Sequence, residues 1–177
     1  MSALSRTLAP LALFLMISAT GPVHAETFND MSIDRLRASV TNEHPSAYYI
    51  LSSKLFDTGQ RDEAVFWFYA GQLRYRTHLV CNPDLPADAD PALFGALSEV
   101  IGAEINAYAF GDLAMLEETI DKVIAWDNDT PNKFTNVRDC ADAYHAILQG
   151  LKELKTYVIE NAEEVRAQRA ANGLENR

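Results

Sequence analysis

The sequence predicts an all-α protein, a compact bundle of about six helices, on three observations. Apolar residues recur every three or four positions through most of the chain, which is the periodicity of one face of an α-helix. Glycines and prolines fall between these periodic segments, where helices begin and end. No segment has the alternation of apolar and polar residues that is typical of a half-buried strand.

The first three predicted helices follow from their flanking residues. Residues 32–41 form a short amphipathic helix that ends before Pro45, because the residue before a proline avoids the helical region. Pro45 suits the first position of the second helix, and Gly59 suits its left-handed cap. The third helix covers about residues 62–80. It is apolar nearly all round over residues 64–70, which predicts that it is buried.

Three further helices are predicted after a loop at residues 81–91, which contains three prolines and three aspartates. The fourth and fifth helices are separated by a turn at Gly111-Asp112, and a second loop at residues 127–136 precedes the last helix. The predicted starts are Pro91, Leu113 and about Val137, and the last helix has a predicted kink near Asn161 and a predicted end by Gly173.

The first 25 residues have the features of a cleaved export signal. Arg6 supplies a positive charge, residues 11–17 are apolar, and Val23-His24-Ala25 suits a cleavage site. The apolar run is far shorter than the roughly 20 residues that a membrane span needs. We therefore expect a bacterial periplasmic protein with no membrane insertion after cleavage, although a secreted protein uses the same signal. Residues 26–177 would then form a single helical domain.

The charge of the chain bears on its partners. There are 25 Asp and Glu residues against 15 Lys and Arg, and the net charge is −10. This acidity disfavours binding to nucleic acid or to anionic lipid. It would suit a basic protein partner, and a contribution to solubility alone explains it equally well.

The two cysteines, Cys81 and Cys140, are predicted to form a disulfide, because an exported chain with two cysteines meets an oxidising compartment. Cys81 follows the third predicted helix and Cys140 opens the last. The bridge would close a loop of about 60 residues, which contributes on the order of 4 kcal/mol in the chain-entropy model. Two unpaired thiols are the alternative.

Residues 45–80 carry a resemblance to a known family. The segment from Pro45 to Gly59, followed by Gln60 to Arg76, resembles the helix–turn–helix unit of tetratricopeptide and Sel1-like proteins. The residues around Gly111 show a second, looser resemblance to the same helix–turn–helix unit. The two turns lie 52 residues apart, whereas a regular repeat is about 34 residues long, so we expect repeat-like hairpins within a compact bundle. The resemblance implies a protein-binding module without chemistry of its own.

Four residues of this hairpin are candidates for contact with a protein partner. Tyr49 and Tyr69 lie off the main apolar stripes and are expected to be exposed, where tyrosines are favoured interface anchors. Arg74 and Arg76 make a local positive feature in an acidic chain, and Arg74 shares a helix face with His78, with which it could form a cationic patch for a carboxylate. The alternatives are that the aromatic residues belong to the core and that Arg74 pairs with an internal acid.

The sequence predicts no metal site, no cofactor and no catalysis. His44, His78 and His145 have no close ligand spacing, and no H-E-x-x-H motif is present. The aspartates of the loop at residues 81–91 lack the glycine of a calcium loop. The chain also has no nucleophile elbow, no glycine-rich phosphate loop and no cysteine–histidine signature.

These observations leave three functional hypotheses. The first is an exported periplasmic helical protein-binding module that acts as an adaptor, assembly factor or scaffold. The second is a periplasmic immunity or inhibitor protein that neutralises a toxin or enzyme. The third, a helical-bundle enzyme or small-ligand carrier, needs a polar pocket that the sequence does not reveal.

Overall fold

The structure, a computed structural model, describes residues 27–177, and the predicted export signal at residues 1–25 lies outside the described residues. Within the described part the fold is an all-α bundle of seven α-helices without β-strands, which confirms the predicted fold class. Helices α1–α7 span Ile33–Ser39, Ser46–Asp57, Arg61–Cys81, Asp90–Ala109, Leu113–Asp129, Ala141–Glu160 and Ala162–Ala171. A short 3₁₀ segment at Val40–Asn42 follows α1, and another at Val137–Cys140 leads into α6.

Helix α3 is the central helix of the bundle and packs against α2, α4, α5 and α6. A helix that is apolar on all sides needs neighbours on all sides, and its sequence has this property over residues 64–70. The burial predicted for this stretch is confirmed. Its fully or nearly fully buried members are Ala64, Val65, Trp67, Phe68, Tyr69 and Ala70.

Helices α2 and α3 form the predicted hairpin, and two glycines determine its geometry. Gly59 lies between them with a φ of +83°, a left-handed conformation that glycine adopts without strain. Further along, a Cβ atom at position 71 would lie 2.7 Å from the Cβ atom of Tyr48. The absence of a side chain at Gly71 therefore permits the close approach of the two helices.

The predicted last helix is divided at Asn161, so the kink expected there is a complete break between α6 and α7. The Asn161 side-chain amide donates to the backbone carbonyl of Tyr157 at 2.9 Å, and its backbone N–H donates to the same carbonyl at 3.0 Å. Such side-chain bonds to the backbone compete with helix continuation. Helix α7 ends at Ala171, and Gly173 follows with a φ of +72°, as the sequence predicted.

The disulfide between Cys81 and Cys140 is confirmed. The two Cα atoms lie 5.3 Å apart, and the bridge joins residues that are 59 positions apart in sequence. Cys81 is the last residue of α3 and Cys140 ends the 3₁₀ segment before α6. The bridge therefore holds the segment between α5 and α6 against the end of the central helix.

None of the helices in residues 27–177 combines the length and the apolar character needed to cross a membrane.

Helix α5 depends on an N-terminal cap, which gives a first testable prediction. The Asp112 side chain accepts a hydrogen bond from the backbone N–H of Met115 at 3.0 Å. We expect Asp112→Ala to destabilise the fold by about 1 kcal/mol, because a backbone donor loses its partner. For a domain of about 150 residues this corresponds to a fall in melting temperature of roughly 2–4 °C. Asp112→Ser keeps a capping oxygen and should melt close to the wild type; equal melting of the alanine variant would contradict the cap.

Candidate functional site

Tyr49 and Tyr69 are buried, so the expectation that they are exposed is wrong. Helix α4 covers the face of the hairpin on which both hydroxyls lie: Tyr49 is hydrogen-bonded to the Ser98 hydroxyl at 3.2 Å, and Tyr69 donates to Asn106 Oδ1 at 2.9 Å. Burial raises the pKa of Tyr49 to about 12. Both side chains contribute to the core and to the attachment of α4, which leaves them little surface to offer a partner.

Arg74 is also buried, and it pairs internally. Its guanidinium lies 2.9 Å from Asp127 Oδ1 and donates to the backbone carbonyl of Thr130 at 2.6 Å. It also stacks on the ring of Trp126, with 4.7 Å between its Cζ atom and the ring centroid. Asp127 accepts a further hydrogen bond from Tyr144, and burial, followed by this hydrogen bond, raises the pKa of Tyr144 to about 12. The alternative of an internal partner for Arg74 is therefore confirmed.

Arg76 is the exposed member of the predicted set. Its Nε–H donates to Gln72 Oε1 at 3.1 Å, and the guanidinium lies over the Phe94 ring at 5.2 Å. Gln72 in turn donates to the Ser98 hydroxyl at 3.1 Å. These contacts hold Arg76 in place, and it forms no ion pair with any residue in 27–177, so its charge is available at the surface of this part of the chain.

Arg76 stands at the edge of a groove that lies over α3, between α4 and α6. Its volume is about 420 Å³, and its floor is formed by apolar side chains of α3. The residues that line it are Phe68, Tyr69, Gln72, Leu73, Arg76, Asn106, Phe110, Gly150, Leu151 and Leu154. The groove is of the size of a ligand site, and it is open rather than enclosed.

A second cleft of about 360 Å³ continues the groove towards α7, since both are lined by Asn106 and Phe110. Arg169 lines this second cleft. Its guanidinium donates to the backbone carbonyls of Ala107 and Glu175, and its buried Nε has no hydrogen-bond partner among the described residues. Burial, and then the neighbouring Arg177, lower the pKa of Arg169. The continuous groove therefore has one arginine in each part.

No aspartate or glutamate is among the residues described as lining either part of this groove. The chain as a whole carries 25 acidic residues and a net charge of −10. An apolar groove with two arginines and no carboxylate is therefore a local exception to the charge of the molecule. We refer to these two connected clefts as the arginine groove.

A separate cluster joins the start of α2, the end of α3 and the start of α4. His44 Nε2 lies 3.1 Å from Asp90 Oδ1, and His78 Nε2 lies 2.9 Å from Asp90 Oδ2. One ligand-capable atom of each residue falls within 4.8 Å of the other two. We refer to His44, His78 and Asp90 as the His–Asp–His cluster.

The surroundings of the cluster are both polar and aromatic. Burial alone would raise the pKa of Asp90, and the hydrogen bonds from His78 and His44 outweigh it, so the pKa is lowered. The Tyr75 hydroxyl donates to Asp90 Oδ1 at 3.4 Å, and burial, then the Asp90 charge, raise the pKa of Tyr75. Phe134 packs edge-on to both imidazoles, with ring centroids 5.1 Å apart in each case. The Asp90 carboxylate is thus ionised at neutral pH, and the aromatic ring of Phe134 packs against the two imidazoles that bind it.

Sequence reasoning missed this cluster because its members lie far apart along the chain. His44 and Asp90 are 46 positions apart, and His78 and Asp90 are 12 apart. The spacing rule that argued against a metal site applies to ligands on one helix or in one loop, whereas these three residues meet through tertiary packing. His145, the third histidine considered, lies on α6 and is not part of the cluster.

Comparisons with known proteins add a distant relative. An uncharacterized protein of Haemophilus influenzae (strain ATCC 51907 / DSM 11121 / KW20 / Rd) is 29% identical over 120 residues, or 68% of this chain. The match covers 47% of that relative, so the chain spans about half the length of the curated protein that it matches. No protein-family model and no solved structure matches the chain.

Proposed function

We propose that the protein is an exported, periplasmic helical protein-binding module without catalysis, and that the arginine groove holds an apolar, carboxylate-bearing segment of its protein partner. The single observation that carries the proposal is the lining of that groove. It combines an apolar floor with Arg76 and Arg169 and lacks acidic residues, in a chain whose net charge is −10.

The chemistry of the groove fits such a segment. Burial of apolar side chains of the segment against the half-buried Phe110, Leu151 and Leu154 would supply most of the affinity, at about 25 cal/mol per Å² removed from water. A carboxylate beside Arg76 would accept two parallel hydrogen bonds from the guanidinium and so fix the orientation of the segment. The basic partner predicted from the net charge concerns the rest of the surface and remains a separate expectation.

The proposed compartment rests on two further features. Residues 1–25 have the pattern of an export signal, and the Cys81–Cys140 disulfide is consistent with an oxidising compartment. The likeness of residues 45–80 to a tetratricopeptide or Sel1-like hairpin supports a binding role. It remains a resemblance, carried by the α2–α3 hairpin.

Filling the groove tests the proposal. A Cβ atom added at Gly150, in α6, meets nothing within 4 Å, so Gly150→Leu should be tolerated by the fold and should place its side chain in the groove. We expect a partner captured from a periplasmic extract by the wild type to bind Gly150→Leu and Arg76→Ala at least about fivefold more weakly, a loss of about 1 kcal/mol. The affinities are measured by titration with the isolated partner.

Gly95→Leu is the matched control. Gly95 is an exposed helical glycine with equally open surroundings, and it does not line the groove. A partner that binds Gly95→Leu normally and Gly150→Leu weakly supports the proposal. A partner that binds all three variants with wild-type affinity would remove the groove as its binding site.

A further inference from the structure

We propose that His44, His78 and Asp90 form a binding site for one divalent transition-metal ion, with zinc as the best-fitting ion and a fourth coordination position open to solvent. The site is independent of the arginine groove, because none of its three residues lines either cleft. The sequence predicted no metal site because its histidines lack local ligand spacing. The fold nevertheless brings two of them together with Asp90.

The distances in the cluster suit tetrahedral zinc. Zinc–nitrogen bonds of about 2.0–2.1 Å place neighbouring ligand atoms about 3.3 Å apart along a tetrahedral edge. His44 Nε2 lies 3.1 Å from Asp90 Oδ1 and His78 Nε2 lies 2.9 Å from Asp90 Oδ2, so the carboxylate would turn to direct one of its oxygens at a shared ion. All three ligand atoms lie within 4.8 Å of one another, so small side-chain movements would bring them to bonding distance of a shared ion.

The groups on the far sides of the imidazoles favour one tautomer of each ring. The backbone N–H of Ser46 donates to His44 Nδ1 at 3.2 Å, and the Asn82 side-chain nitrogen lies 3.2 Å from His78 Nδ1. With Nδ1 accepting, a neutral ring would carry its proton on Nε2, and both Nε2–H groups would donate to the Asp90 carboxylate. A metal ion would take the place of these two protons between the same three side chains.

Zinc binding would exchange the hydrogen-bond partners at Nδ1: the Ser46 N–H and the Asn82 side-chain nitrogen would lose that acceptor, and two nearby hydroxyls would accept the Nδ1–H bonds instead. When Nε2 binds the ion, each neutral imidazole moves its proton to Nδ1, so the number of protons is unchanged. The Ser46 hydroxyl lies 2.8 Å from His44 Nδ1, and the Thr135 hydroxyl lies 3.3 Å from His78 Nδ1. A hydroxyl can donate or accept, and such outer hydrogen bonds orient imidazole ligands in metal sites.

The fold holds two of the ligands on helices and the third in the short loop before α2. His44 precedes Pro45 at the start of α2, His78 lies in the last turn of α3, and Asp90 is the first residue of α4. The disulfide at Cys81 fixes the end of α3 three residues beyond His78. Sites built on rigid elements lose little freedom when an ion binds.

Access and donor type point to the same class of ion. The side chains of His44 and Asp90 are 24% and 22% exposed, which leaves a path for an ion and room for a solvent ligand. Two imidazoles and one carboxylate suit zinc and its transition-metal neighbours, whereas magnesium and calcium prefer oxygen ligands alone. Both cysteines are joined in the disulfide, so no thiolate competes for the ion.

Zinc titration of the untagged protein tests the site. We expect one zinc ion to bind per chain by calorimetry and to raise the melting temperature. Asp90→Asn should weaken zinc binding by at least about 100-fold, because loss of even an outer-shell partner costs 10–100-fold. The single asparagine oxygen at position 90 can accept from one imidazole, and its NH2 group can donate to the other imidazole once that ring carries its proton on Nδ1, so the variant should keep its fold. His44→Gln is a second variant for use if Asp90→Asn does not fold.

His145→Ala is the control, since it removes an exposed histidine from outside the cluster and should leave zinc affinity unchanged. Cobalt substituted for zinc should give the intense visible absorption of tetrahedral coordination, which a loosely held surface ion does not give. The absence of saturable zinc binding, or affinity that is equal in the wild type and Asp90→Asn, would overturn the proposal.

Discussion

Arg74→Ala is expected to destabilise the protein by about 3–5 kcal/mol, because it removes one partner of a buried ion pair and leaves the other charged. The side chains of Arg74 and Asp127 are 5% and 2% exposed, so each charge depends on protein partners rather than on bulk water. A domain has only about 5–15 kcal/mol of stability in total, so this loss is a large share.

Two further contacts of Arg74 increase the expected cost, whereas the bond from Tyr144 to Asp127 remains in the variant. The guanidinium donates to the backbone carbonyl of Thr130, which leads into the segment between α5 and α6, and it stacks on Trp126. Tyr144 on α6 donates to the same Asp127 carboxylate. Arg74 therefore connects α3 with α5 and, through Asp127, with α6.

Urea unfolding followed by circular dichroism measures the effect, and Arg76→Ala is the matched control. Arg76 lies two residues away on the same helix and is exposed, so its loss should cost less than about 1 kcal/mol. An unchanged urea midpoint in Arg74→Ala would contradict a structural role. It would also restore Arg74 as a candidate for partner contact.

The helices were predictable from sequence because their signals are local. The caps at Gly59 and Asp112, and the break at Asn161, each depend on residues within one turn of the helix end. The disulfide was predictable for a different reason, since only one pairing exists for two cysteines. These features need no knowledge of which helix packs against which.

The site residues were harder to predict because burial depends on the neighbours of a helix. The sequence of α3 is apolar on several faces, but it does not indicate which of them a neighbouring helix covers. In the structure α4 covers Tyr69, whereas Arg76 is exposed. The His–Asp–His cluster was not predictable for the same reason, because its three residues come from separate parts of the fold. The arginine groove likewise exists only because α4 and α6 pack on α3 with a gap between them.

Trp67→Ala is expected to destabilise the fold by about 3–5 kcal/mol, since it empties the space of the largest side chain in the buried stretch of α3. The indole ring packs against three aromatic neighbours. Its centroid lies 5.1 Å from Phe66, 5.8 Å from Trp126 and 6.0 Å from Tyr48. These rings belong to α2, α3 and α5, so the cavity would lie where three helices meet.

Packing, rather than the lost hydrogen bond, should dominate this cost. The Trp67 indole N–H donates to Glu63 Oε1 at 3.1 Å, but Arg37 also binds both Glu63 oxygens, at 2.8 and 3.1 Å. Glu63 therefore remains paired in the variant. Trp67→Phe, which loses the same N–H but keeps an aromatic ring, should consequently cost clearly less than Trp67→Ala.

Urea midpoints of the two variants separate these contributions, and near-ultraviolet circular dichroism reports whether the aromatic packing survives. We expect Trp67→Ala to lose most of that signal, because the chain has two tryptophans and they contact each other. Equal destabilisation by phenylalanine and alanine would assign the cost to the hydrogen bond. A wild-type midpoint for Trp67→Ala would refute the buried packing of α3 on which both the hairpin and the floor of the arginine groove depend.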